Sequence, residues 1–158
     1  MDHPHHFLED CLFFNINAFS RQLLKLAETS FAPLKLSPAH ASLMLILYEN
    51  PGISPKKMGE LLQLSPSTIT RFIDSLAKKK LVKRKSRGKA SALYATDRGN
   101  DLKPAIARAY KAFYLNYTRI LGAGCAHSLA LQINQANGKL ARFSISDPGH
   151  DPGHDPDL

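Results

Sequence analysis

The chain has 158 residues, 44% of them apolar, with 8% aromatic residues, no Trp and two Cys. That suffices for one core domain with appended helices, and leaves too few cysteines, too far apart, for a disulfide framework or a zinc site. A formal charge of +8 points to an anionic partner, while no apolar run reaches the ~18 residues of a membrane span and the acidic, His-rich start MDHPHHFLED is not a secretory signal, so the sequence reads as soluble and cytoplasmic.

In chain order, residues 8–28 read as a helix, with Leu12, Ile16, Phe19, Leu23 and Leu26 on one face. Phe13, Phe14 and Leu24 widen this stripe beyond what one surface helix buries, which implies more than one neighbour, another subunit being one candidate. Three Ser-Pro pairs follow, at 37–38, 54–55 and 65–66. Each fits an N-cap serine with proline in the first helical position, where its missing N–H costs nothing. They predict helices over 38–49, 55–62 and 66–80.

The first of these (PAHASLMLILYE) is apolar nearly all round and so belongs at the centre. The second turns Met58, Leu61 and Leu62 inward. Only QLS separates it from the third, so the two must cross steeply, as in a helix-turn-helix. The third buries Ile69, Phe72, Ile73 and Leu76. Strands are predicted over 81–86 and 91–96, with residues 87–90 turning between them. Thr96 or Asp97 caps a long helix to about 121, which Pro104 kinks or truly begins. GAG at 122–124 ends it, and a last helix covers about 125–142. The remainder, 146–158, is an acidic turn-rich repeat that reads as disordered.

The charge is sorted along this order. Residues 54–98 carry twelve Lys/Arg against three acids, a local +9, and the other 113 residues sum to −1. A helix that enters a DNA major groove needs a slim, hydrogen-bonding N-terminal end. Ser65, Ser67, Thr68, Thr70 and Arg71 supply short hydroxyls and one guanidinium able to grip guanine. Lys78, Lys79 and Lys80 follow at the end where cations complement the helix dipole. Lys83, Lys85, Arg87 and Lys89 lie on the hairpin, within reach of a flanking phosphate track or a minor groove. Each has a plainer reading: Ser65 as a cap alone, the lysines as a solvated helix end, Arg71 as an i,i+3 partner of Asp74.

The order of elements, and above all LSPAHASLMLILYENPGIS (36–54), MGELLQLSPSTITRFIDSLAKKKLVKR (58–84) and LYATDRG (93–99), resemble the MarR family of transcriptional regulators over roughly residues 8–142. The last stretch looks like the L-T-x-x-G that closes that family's wing. The resemblance implies a mainly α fold with a small β-hairpin: a winged helix-turn-helix at 37–97, flanked by dimerisation helices at 1–36 and 98–145. It also implies a homodimer on a palindromic operator, usually a repressor, released by a small ligand or by oxidation. One departure stands out, because the wing loop Ser86–Ala90 is short and holds no acid to buttress Arg87.

Other signals are weaker. Cys11, with Cys125 as a second thiol, fits the redox-sensing members that the resemblance brings in. Its Leu, Phe, Glu9 and Asp10 neighbours blunt a thiolate, and a small packed hydrophobe is the plainer reading. The histidines at 3, 5, 6, 150 and 154 are read as binding no metal. Phe14, His40 and Tyr110 are read as core residues. No cofactor motif, nucleophile elbow or paired carboxylates point to an enzyme. The rival to a DNA-binding regulator is a winged helix that only docks proteins.

Overall fold

The computed structural model describes residues 8–87 and 90–146, with side chains at all of these except 87, 90 and 144–146. Lys89, the terminal histidines and the acidic repeat lie outside the described residues, as does the side chain of Arg87. The elements are α1 (Leu12–Phe31), a 3₁₀ turn (Ala32–Leu34), α2 (Pro38–Glu49), α3 (Pro55–Leu62), α4 (Pro66–Lys78), β1 (Val82–Arg87), β2 (Ala90–Ala95), α5 (Asp97–Asp101), α6 (Lys103–Leu121) and α7 (Ala123–Ser146). The chain is mainly helical with one antiparallel hairpin, the winged-helix arrangement. It divides into two compact units, the second beginning at Tyr117 within α6.

The three Ser-Pro pairs set the helix starts. Ser37, Ser54 and Ser65 each accept the backbone N–H three residues on, from His40, Lys57 and Thr68. An orphan donor is satisfied at each start, and the proline already holds a helical φ. The helix predicted over 8–28 is instead broken at Cys11, whose backbone is extended. The Asn15 amide holds that break by donating to the carbonyls of Glu9 (2.6 Å) and Cys11 (3.1 Å). α1 then runs on to Phe31.

Within the first unit, α2 is the central helix, with Ala41, Leu43, Met44 and Leu47 buried. α3 adds Met58, and α4 adds Ile69, Ile73 and Leu76. Leu61, expected inside, is 49% exposed. Gly59 takes the inward place: a Cβ there would crowd Leu64 O at 3.2 Å and the Ile69 side chain at 3.3 Å. The turn to α4 is closed by Leu64 N–H on Gly59 O, with Gln63 at φ 54.

α4 ends two residues before the predicted limit. Leu81 N–H reaches back to Leu76 O (2.9 Å), and Lys80 adopts φ 59 to allow it. β1 and β2 pair from Val82↔Ala95 to Arg87↔Ala90, one residue displaced from the expected strands. The hairpin is also laced to the loop after α2: Gly52 N–H donates to Leu93 O (2.8 Å) and Leu93 N–H to Ile53 O (2.9 Å). Thr96 caps α5 by accepting Gly99 N–H, and its hydroxyl donates to Lys80 O. Gly99 passes so close to the Leu81 carbonyl that a Cβ would collide with it.

The long helix expected from 97 is two helices. Pro104 stands at the start of the second, consistent with its lost donor. Gly122, at φ 81, separates α6 from α7, while Gly124 lies inside α7, which is longer than predicted. Among the described residues no helix is long and apolar enough to cross a membrane, and no group of three or more His, Cys, Asp or Glu is placed to hold a metal ion.

Candidate nucleic-acid interface

The N-terminal end of α4 is a knot of hydroxyls. Ser65 Oγ accepts the Thr68 N–H (3.3 Å) and hydrogen-bonds the hydroxyls of Thr68 (2.9 Å) and Ser67 (3.1 Å). A hydroxyl has one proton and two lone pairs, so Ser65 is saturated by its own helix. Ser67 and Thr68 each keep capacity for an outside partner. Thr70 donates to Pro66 O (2.9 Å) and keeps its lone pairs. Ser65, Ser67 and Thr70 are exposed, and Thr68 is half-buried.

Arg71, one turn along, is exposed and makes no hydrogen bond or ion pair among the described residues. Its sequence-level alternative partner, Asp74, is taken by Arg84 of β1 at 2.7 Å. That pair ties the hairpin to α4, a role the sequence analysis missed. Ten residues and a chain reversal separate the two, so helical spacing carries no trace of it. The nearest signal was that Asp74 is the only acid in a strongly cationic stretch, residues 61–96.

The cations fall into two kinds. Lys78 is exposed at the end of α4. Lys79 Nζ donates to Lys35 O (3.1 Å), where Lys35 has φ 53, so this ammonium also closes the turn before α2. On the hairpin, Lys83 is exposed, and Lys85 sits 5.2 Å from the centre of the Tyr94 ring, a cation–π contact that holds its stem in place. On α3, Lys57 pairs with Glu60 (3.0 Å), which draws that exposed carboxyl below its ordinary range. An open groove of about 530 Å³ runs between α3 and α4, lined by Lys56, Gly59, Gln63, Pro66 and Thr70 among others.

Beneath this face lie three titratable side chains. Burial lifts the Tyr48 phenol to about 12, and its hydroxyl donates to Gly99 O. Burial also raises Tyr110, against the opposing hydrogen bond from Ser42 (2.6 Å). His40 is lowered, first by burial and then by the charge of Lys79. Tyr110 and His40 are half-buried, as core residues would be, but Phe14 is exposed. Cys11 and Cys125 are free thiols, the first half-buried and the second exposed.

Residues 36–88 match the model of the MarR family. No curated protein sequence matches the chain. Among solved structures, the transcriptional repressor CouR bound to a 23-mer DNA duplex superposes with a TM-score of 0.75 at 21% identity, over 87% of this chain and 99% of that one. CouR bound to p-coumaroyl-CoA gives 0.73 at 23%, covering 83% and 94%. A mutant MarR from E. coli complexed with operator DNA gives 0.74 at 18%, covering 82% and 96%. At these identities the likeness is one of fold.

Proposed function

With residues 36–88 belonging to the MarR family, we propose that this protein is a sequence-specific double-stranded DNA-binding transcriptional regulator. It is a repressor that reads an inverted-repeat operator as a homodimer and is released by a small ligand. α4 enters the major groove. Ser67, Thr68, Thr70 and Arg71 face base edges, with Ser65 setting the helix start. Lys78, Lys79, Lys85, Arg87 and Lys89 hold phosphates, in a wing that spans residues 81–96. The observation that carries this reading is the exposed Arg71, which has no hydrogen-bond or ion-pair partner among the described residues, Asp74 being taken by Arg84. A guanidinium held ready beside free hydroxyls suits a base edge.

The second copy follows from exposed apolar surface. Leu12 and Phe13 of α1 are 70% and 79% exposed, and Ile120 and Leu131 are exposed on α6 and α7. Such side chains mark association surfaces. The dimerisation segments are thus 1–36 and 98–145, around a DNA-binding domain at 37–97. The reading is of a cytoplasmic regulator, not an enzyme. CouR and MarR, in the structures above, hold DNA duplexes, and CouR also holds p-coumaroyl-CoA.

Selection of bound duplexes from a random library with the purified chain tests this. The expected product is an inverted repeat whose half-sites lie about one helical turn, roughly 34 Å, apart. Failure to enrich any sequence would favour the protein-docking alternative, and an asymmetric single site would remove the dimer.

A further inference from the structure

His40 is the third residue of α2, and three observations converge on its ring. Nδ1 lies 2.6 Å from Ser37 Oγ, the hydroxyl that caps the helix. Nε2 is shielded from solvent and has no hydrogen-bond partner among the described residues. The ring itself packs at 4.8 Å on Phe72, on the core side of α4.

A neutral imidazole needs one partner for its single proton or can leave one nitrogen bare, and Ser37 meets that need. An imidazolium carries two N–H donors. The second would be buried without an acceptor, which is costly. The charged side chain acting on His40 is Lys79 of α4, whose ammonium is pinned to Lys35 O in the linker. Among the described residues no carboxylate is hydrogen-bonded or ion-paired to His40. α6 contributes Tyr110 to the same core, and that phenol stays neutral in the range where histidine titrates.

We propose that His40 is a pH-sensitive latch on the recognition helix: its neutral ring seats Phe72 and tolerates Lys79, and its protonation unseats α4 and weakens the grip on DNA. The DNA part rests on the function proposed above. The sign is set by linkage. His40 in the seated form takes its proton below the ordinary histidine value of 6.5, so the unseated form binds the proton first as pH falls. Seating is therefore complete above about pH 6.5, is lost progressively below it, and levels off once the seated form is protonated too. Each unit between the two titration points allows up to about a tenfold loss. The direction is diagnostic. Protonating the other six histidines adds positive charge and tightens binding to a polyanion.

Two measurements on the full chain test the latch. The first is a histidine-ring NMR titration without DNA. The expected result is that His40 titrates below the ordinary histidine value of 6.5 and that the Phe72 ring and α4 amide signals move with it. A titration that leaves Phe72 and α4 still overturns the latch, whatever the protein binds. The second is affinity for the library-selected duplex at pH 7.5 and 5.5, for wild type and His40→Gln. Wild type should lose affinity severalfold on acidification relative to the variant, with the two alike at pH 7.5. Parallel pH profiles overturn the proposal. If no duplex is bound at any pH, the DNA reading fails and the NMR titration alone decides the latch.

Discussion

Arg84 Nη2 on β1 stands 2.7 Å from Asp74 Oδ1 on α4. Both side chains are nearly half exposed, at 42% and 48%, so the pair adds little to stability, about 0.2–1 kcal/mol for such pairs. Its effect is geometric, because it removes the one acid beside Arg71 and joins the wing to α4. A double-mutant cycle with Arg84→Ala and Asp74→Ala should return a coupling of that size in chemical denaturation. Restoring an acid to Arg71 is not possible in the double variant, so its DNA specificity should stay that of wild type.

Arg71→Ala should lose discrimination at one base step, by about 1–3 kcal/mol, as read by competition between the selected operator and single-base variants. Unchanged discrimination would move base reading away from Arg71.

Lys89→Ala should act differently. A phosphate contact carries no sequence information, so all duplexes should weaken about equally, and the slope of log affinity against log salt should fall by about one. The wild-type complex should itself be strongly salt-dependent. A flat salt profile would mean that the +9 segment does not neutralise phosphates.

Gly99→Ala should destabilise the fold. The added methyl would collide with the Leu81 carbonyl, at the point where α4, β1 and α5 meet. Overpacking of this kind costs about 1–3 kcal/mol, and the midpoint of urea unfolding reports it. A neutral result would show that Leu81 can withdraw.

Phe13→Lys should shift the chain toward monomer in sedimentation at micromolar concentration, and weaken binding to the full inverted repeat more than to a half-site. A dimer that survives unchanged would place the interface elsewhere.

What the sequence revealed of this fold was the chemistry that acts over a few residues. The three Ser-Pro starts were legible because a hydroxyl, a proline and an orphan N–H suffice to specify a cap. The central place of α2 was legible because it is apolar nearly all round, and the inward face of α4 because Ile69, Ile73 and Leu76 recur at helical spacing. Where distant contacts decide, the reading slipped. Cys11 breaks the first helix through an amide four residues on, and α4 stops at Lys78 because Leu81 folds back on Leu76. Leu61 has helical spacing with Met58, yet Gly59 holds the closer approach to α4. Phe14 was read as core but is exposed, because an apolar stripe does not state what will cover it. On the candidate face the allocation of Asp74 to Arg84 and of Lys79 to Lys35 required the fold.

The lacing of Leu93 to Gly52 and Ile53 has a mechanical consequence. Two backbone hydrogen bonds fasten the hairpin to the loop after α2, and the Arg84 bridge fastens it to α4, so any displacement of α4 is passed on to the wing.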